Sequence, residues 1–122
     1  MKLIKNLAAA VIAVTAVFGL AGCAPESMNA SDYSAVIDVR TPEEWSEGRL
    51  EGAVRMGIAD SDFMAQLSTL DPAADYYIYC RSGNRAGQAI DIMRDMGFTG
   101  ELFNGGSVAN ASSQLGIAVI TD

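Results

Sequence analysis

The stretch YYIYCRSGNRAGQAI, residues 76–90, decides the fold. Its first four residues, Tyr76 to Tyr79, are strand-forming aromatic and β-branched side chains that stop at Cys80. A tight polar loop runs from Cys80 to Arg85, and apolar residues then recur at the spacing of a helix. The pattern predicts a buried strand that leads through a short loop into a helix. It also places Cys80 at the junction of the two.

The same alternation of short apolar runs and helical patterns extends along the chain. At residues 41–48, Thr41 can cap a helix, Pro42 suits its first position, and Glu44 completes a capping box. The tail at 117–120 fits either a final strand or an extended packing segment. The other predicted elements are a strand at 34–39, a weaker strand at 53–56, a helix from 60 or 61 to 67, a helix at 87–96 ended by Gly97, and a strand at 101–103.

Strands that alternate with helices favour the α/β class, here a mainly parallel central sheet flanked by helices. A chain of 122 residues has room for one small domain. In such sheets, ligands bind beyond the carboxyl ends of the strands. Because Cys80 lies at the end of the strongest predicted strand, this junction is the first place to look for a functional site.

The first 22 residues have the order of a bacterial export signal. Lys2 and Lys5 form a basic start, and residues 7–18 are an apolar run. A bilayer-spanning helix needs about 20 apolar residues, so this run is too short for one. The pattern predicts that residues 1–22 are a signal peptide.

The end of that segment, Leu-Ala-Gly-Cys at residues 20–23, resembles the lipobox of bacterial lipoproteins. The resemblance implies a lipid on Cys23, a tether at 23–31 and a folded domain at 32–122. Two or more acyl chains would hold the domain at a membrane in the periplasm, and Ala24 favours the outer membrane in a Gram-negative cell. An ordinary signal peptide, with Cys23 incidental, is the alternative.

The charge of the chain disfavours some partners. Eight basic and fifteen acidic residues give a net charge of −7, and removal of residues 1–22 would leave six arginines and a charge of −9. So acidic a protein is not suited to bind nucleic acid. We also expect a monomer.

Cys80 is an unpaired cysteine if Cys23 carries a lipid. In an exported protein, an unpaired cysteine indicates either a reactive thiol or a small buried apolar residue. The chain has no histidine, which disfavours a metal site, and we predict no cofactor.

The loop after Cys80 combines three features that favour a thiolate. A free cysteine titrates near about 8.5, and the positive end of a following helix stabilises the anion. Residues 81–84 can curl so that their N–H groups point inward, because Gly83 and Asn84 tolerate a left-handed backbone. Arg81 and Arg85 add positive charge. Together they predict an anion-binding loop with a nucleophile at its base.

Four blocks of the sequence carry a family resemblance: Asp38-Val39-Arg40 with Pro42-Glu43-Glu44, then Gly52-Ala53, the loop from Cys80 to Arg85, and Gly105-Gly106. In this order they resemble the rhodanese (thiosulfate sulfurtransferase) domain family. The match runs from about residue 34 to residue 106, most of the chain after the predicted signal peptide, and the short form with an export signal is similar to small periplasmic rhodaneses.

The resemblance implies that Cys80 is the catalytic nucleophile, which takes the outer sulfur of thiosulfate as a persulfide and releases sulfite. Cyanide or an external thiol would then accept the sulfur. Asp38 and Arg40 would be structural and would tie the end of the first strand to the loop. The persulfide would be held by the backbone N–H groups of Arg81, Ser82, Gly83, Asn84 and Arg85.

Two other functions remain open. Cysteine phosphatases and arsenate reductases also place a cysteine below an anion-binding loop, but in these enzymes five residues lie between the cysteine and the arginine of the loop. Here four residues lie between Cys80 and Arg85, and the smaller loop suits a single sulfur atom. The second alternative is a non-catalytic rhodanese-like binding module at the membrane, which the presence of Cys80, Gly83 and Arg85 disfavours.

Overall fold

The structure, a computed structural model, describes residues 27–122. The predicted signal peptide and Cys23 lie outside the described residues. Four strands form one sheet: β1 (Ala35–Asp38), β3 (Val54–Arg55), β4 (Tyr76–Tyr79) and β5 (Leu102–Asn104). Their order is β3-β1-β4-β5, and every neighbouring pair is parallel. This confirms the predicted α/β class.

Two further strands, β2 (Arg49–Leu50) and β6 (Val119–Ile120), form a separate antiparallel pair. The pairing shows that the tail ends in a strand, which decides between the two possibilities left by the sequence. β6 lies beside β2 because the final helix returns the chain to that side of the sheet.

Four α-helices follow the strands: α1 (Pro42–Glu47), α2 (Phe63–Leu67), α3 (Asn84–Asp95) and α4 (Val108–Leu115). The capping box of α1 is confirmed, since Thr41 Oγ1 accepts the Glu44 N–H and Glu44 accepts the Thr41 N–H. α3 begins three residues before the predicted start at 87. Arg85 therefore lies in the first turn of the helix. The prediction that the loop runs from Cys80 to Arg85 was wrong at its end, because the loop stops at Gly83. None of the helices within residues 27–122 has the length and apolarity to cross a bilayer.

The core lies on both faces of the sheet. Successive side chains of a strand point to opposite faces, so β4 and Cys80 divide between two apolar clusters. Tyr76, Ile78 and Cys80 face α2 and α3, while Tyr77 and Tyr79 face α4. The alternation places the Cys80 side chain under α3.

The described end of the predicted tether packs against the domain. Met28 and Ala30 contact the apolar cluster beside α4, and the Met28 N–H donates to the Gln114 carbonyl. A short 3-10 turn at Ala30–Asp32 then leads into β1. The folded body thus extends a few residues toward the N-terminus from the predicted boundary at 32.

Candidate active site

Cys80 follows β4 at the carboxyl edge of the sheet. Its N–H donates to the Gly106 carbonyl at 2.9 Å, which anchors the residue beside the end of β5. The residue is 0 % exposed and belongs to the apolar cluster that contacts α3. Its sulfur nevertheless has a polar partner, because the Gly83 N–H donates to Sγ at 2.8 Å.

Gly83 is the point at which the loop turns into α3. Its φ of +94° lies in the left-handed region, and a Cβ there would lie 3.3 Å from the Gly106 Cα. Any other residue would meet both backbone strain and a tight contact. The residue that donates to the sulfur is therefore one that has to be glycine.

The other members of the predicted anion-binding loop are differently placed. Arg81, Ser82 and Asn84 are exposed, and the Gly83 N–H is the one backbone donor bonded to the sulfur within residues 27–122. Asn84 and Arg85 open α3, where the first N–H groups have no partner within the helix. Their predicted roles in holding an anion stay predictions.

Arg85 forms an ion pair that the sequence did not predict. Its guanidinium binds both carboxylate oxygens of Glu44, at 2.7 Å and 2.9 Å. This hydrogen bonding is the main reason that the pKa of Glu44 falls to about 2. The same hydrogen bonding is the largest cause that raises the pKa of Arg85, and the nearby Cys80 raises it further. Much of the positive charge expected from Arg85 is thus balanced by Glu44.

Arg81 differs from Arg85 in this respect. It is exposed, and it makes no ion pair with any other residue of the described chain. The two arginines were predicted to act alike, but only Arg81 has an unbalanced guanidinium. Sequence patterns cannot separate them, because Glu44 has a local role in the cap of α1 and also binds Arg85, which is distant in the chain.

Asp38 and Arg40 form a buried pair at the end of β1. Arg40 donates to both Asp38 oxygens, at 2.8 Å for the closest, and also to the Gly48 carbonyl at the end of α1. The residues are 0 % and 5 % exposed, so a substrate has no access to them. Their predicted structural role stays a prediction. The hydrogen bonds of the pair reach Gly48, and Arg40 lies over the ring of Tyr79, the residue before Cys80.

Asn104 is a residue of the site that sequence reasoning missed. Its side-chain amide donates to the Gly83 carbonyl at 2.9 Å and accepts the Gly106 N–H at 2.9 Å. The available signal was its place at the end of β5, directly before Gly105. That glycine is required because a Cβ would collide with the Tyr77 ring.

Comparisons with known proteins agree with this geometry. Residues 22–111 match the Rhodanese-like domain family. The thiosulfate sulfurtransferase PspE of Escherichia coli is 30% identical over 63 residues, which cover 52% of this chain and 61% of PspE, so the match spans less than two thirds of that relative. YtwF of Bacillus subtilis, whose name describes it as a candidate sulfurtransferase, is 35% identical over 86 residues, 69% of this chain and 80% of YtwF.

The fold has a close counterpart among solved structures. The crystal structure of the Alr3790 protein from Anabaena superposes with a TM-score of 0.62 at 24% identity, covering 73% of this chain and 78% of that one. At that identity the likeness concerns the fold alone, a parallel sheet flanked by helices. The family match covers well over half of the sequence and includes the Cys80 loop. The chain therefore belongs to the rhodanese-like domain family.

Proposed function

We propose that the protein is a thiosulfate sulfurtransferase in which Cys80 carries the sulfur. The Cys80 thiolate attacks the outer sulfur of thiosulfate, the S–S bond breaks, and sulfite leaves with the bonding pair. Cyanide or an external thiolate then attacks the outer sulfur of the persulfide, and Cys80 leaves as a thiolate. The observation that carries the proposal is the Gly83 N–H directed at Sγ at 2.8 Å.

The surroundings of the sulfur suit an anionic intermediate. A buried anion is costly unless donors replace the water it loses. Gly83 supplies one donor, and the opening N–H groups of α3 supply further partial positive charge. The apolar side chains beneath Cys80 exclude water, which strengthens each of these interactions.

Arg81 provides a means to attract the donor. Thiosulfate is a dianion, and the chain as a whole has a net charge of −7. An exposed guanidinium beside the loop offsets this repulsion locally, whereas Arg85 is engaged by Glu44. We assign Arg81 to recruitment of the donor and Arg85 to the position of the loop.

A second function, a non-catalytic rhodanese-like binding module, has one observation in its favour. Cys80 is 0 % exposed, as a core cysteine would be. For catalysis the sulfur has to become reachable through the loop. The two functions therefore differ in whether folded protein can take up sulfur at Cys80.

Mass spectrometry of thiosulfate-treated protein tests the proposal. We expect a gain of one sulfur, about 32 Da, on the peptide that contains Cys80. The Cys80→Ala variant should show no gain, while Cys23→Ser should gain sulfur as the wild type does. Wild-type protein that takes up no sulfur would favour the binding module. Hydrolysis of p-nitrophenyl phosphate that is lost in Cys80→Ser would favour a cysteine phosphatase.

We further propose that Cys23 is lipidated and holds the domain at a bacterial membrane in the periplasm. The support is the order of the first 23 residues, a basic start, an apolar run and Leu-Ala-Gly-Cys. Growth with an alkyne-labelled fatty acid should label the wild type and not Cys23→Ser. Equal labelling of the two would contradict the anchor.

A further inference from the structure

We propose that Asn104 is a positioning residue that keeps the Gly83 N–H directed at the sulfur of Cys80. The inference rests on the proposed function, because this sulfur is the atom that would carry the persulfide. The Asn104 side chain bonds one partner on each side of Cys80. Its Nδ2 donates to the Gly83 carbonyl and its Oδ1 accepts the Gly106 N–H, both at 2.9 Å.

These contacts close a ring of hydrogen bonds around Cys80. The Cys80 N–H donates to the Gly106 carbonyl at 2.9 Å, and Sγ accepts from Gly83 at 2.8 Å. Asn104 joins Gly106 back to Gly83. Both the backbone and the sulfur of the cysteine are thus held by residues that the same amide connects.

The space around Asn104 is shaped by glycines. A Cβ at Gly83 would lie 3.5 Å from Asn104 Oδ1, and a Cβ at Gly87 would lie 3.6 Å from Nδ2. The loop and the first turn of α3 therefore approach the amide closely. Aspartate has the same shape but lacks the donor to the Gly83 carbonyl, so the position needs an amide to make both contacts.

The Gly83 carbonyl is held from two directions. The Gly87 N–H of α3 donates to it at 3.0 Å, and Asn104 donates to it from the end of β5. The bond from Asn104 adds a second restraint, from the end of β5, on the orientation of Gly83. Because hydrogen bonds weaken steeply as their angle departs from linear, a small rotation of Gly83 would weaken its bond to the sulfur.

The effect should fall on the sulfur more than on stability. Asn104 is exposed, so water can replace both of its hydrogen bonds when the side chain is removed. Asn110 provides a matched control. Its Nδ2 donates to the Gly105 carbonyl at 2.7 Å, in the same turn after β5 that Asn104 contacts at Gly106, but it does not bond the Cys80 loop.

The experiment measures alkylation of Cys80 by iodoacetamide in the full-length folded chain as a function of pH, with modification located by peptide mass. In Asn104→Ala, we expect the midpoint of the rate profile to rise by about half to one pH unit. Sulfur uptake from thiosulfate near neutral pH should fall by roughly 3- to 10-fold, in line with that shift. Asn104→Asp, which also adds a negative charge, should show a shift at least as large. Asn110→Ala should match the wild type in both measurements.

Equal alkylation profiles for Asn104→Ala and the wild type would overturn the proposal. Equal shifts of the profile in Asn104→Ala and Asn110→Ala would overturn it too, because they would indicate a general loosening of the turn. A wild-type Cys80 that resists alkylation at every pH would overturn it too. Failure of the proposed function looks different, since wild-type protein would then take up no sulfur while the alkylation profile still moved in Asn104→Ala.

Discussion

Two loops leave the same edge of the sheet from neighbouring strands, and they differ in how their charges are balanced. β1 ends at Asp38, and Arg40 lies in the loop that follows; the two pair with each other and are almost fully buried. The loop after β4 contains Arg81, which is exposed and unpaired among the described residues, and it leads into α3, where Arg85 pairs with Glu44 of α1. The first loop is a closed structural unit, whereas the second retains donors that an anion can use.

The comparison shows that position at the carboxyl edge of a parallel sheet does not by itself make a site. Both loops lie where ligands of such folds bind. The Asp38–Arg40 pair after β1 bonds within itself and to Gly48, and it is almost fully buried. The loop after β4 keeps a buried sulfur beside a glycine N–H, with the first helix N–H groups nearby and, among the described residues, an arginine that has no ion pair. Unused donors, more than location, distinguish the candidate site.

The largest loss of stability should come from breaking the buried pair of Asp38 and Arg40. Asp38→Asn removes the partner of a buried guanidinium, and loss of one member of such a pair costs about 3–5 kcal/mol. We expect the free energy of unfolding, from urea titration, to fall by this amount. Asp122→Asn breaks the pair of Arg49 with an exposed carboxylate and should change the free energy of unfolding far less. Similar losses in the two variants would refute the distinction between buried and exposed pairs.

A smaller loss is expected where the reactive loop turns. Gly83→Ala forces a side chain onto a φ of +94° and against the Gly106 Cα, which should cost about 1–3 kcal/mol. Gly52→Ala is the matched control, because Gly52 has a φ of +85° with no atom within 4 Å of a new Cβ. Both variants should lose stability, but only Gly83→Ala should lose sulfur uptake from thiosulfate. Uptake that fell equally in both would mean that the turn at Gly83 has no specific role.

The pair between the loop and α1 should appear in the pH dependence of stability. The folded-state pKa of Glu44 is about 2, against 4.5 for a glutamate in the unfolded chain, so the carboxylate adds stability above pH 4.5 that is lost as pH falls toward 2. In Glu44→Gln we expect a loss of about 1–2 kcal/mol at pH 7 and a flatter stability curve between pH 4.5 and 2. Thr41→Ala weakens the cap but keeps the ion pair, so its curve should keep the wild-type slope. A wild-type slope in Glu44→Gln would show that the pair adds no net stability.

The smallest change in stability, below about 0.5 kcal/mol, is expected for Arg81→Ala, because the side chain is exposed. Its effect should be electrostatic. At low salt, alkylation of Cys80 by anionic iodoacetate should slow several-fold more than alkylation by neutral iodoacetamide, because only the anion is attracted by the guanidinium. Equal slowing of both reagents would show that Arg81 acts on the thiol or on the shape of the loop, not on the recruitment of anions.

Several elements were predictable because their signals are local. β4 occupies the predicted residues 76–79, and α1 has the predicted capping box. Strand-forming side chains bounded by a polar loop, and a cap with its reciprocal partner three residues on, act within one turn of chain. α3 was also predicted, although its start was placed three residues late because Gly83, not Gly87, is the turn that opens it.

α4 was missed because its local signals are weak. The segment at 108–115 is rich in small polar residues and has just two buried positions, Ala111 and Leu115. Its cap was visible in principle, since the Ser107 side chain accepts the Asn110 N–H and Gly116 ends the helix in the left-handed region. Packing of the two buried residues against the Tyr77 side of the sheet stabilises this helix, and such packing is not readable from a short window of sequence.

By itself, the amino-acid sequence determined the order of most strands and helices, the position of Cys80 at the end of β4 and the resemblance to rhodaneses, because each depends on residues close together in the chain. The tertiary structure alone decided that Arg85 pairs with Glu44, 41 residues away, and that Asn104 bonds Gly83, 21 residues away. It also decided that Cys80 is buried with one N–H at its sulfur. These contacts follow from the strand order β3-β1-β4-β5, which brings distant segments to one edge of the sheet and has no counterpart in any local pattern.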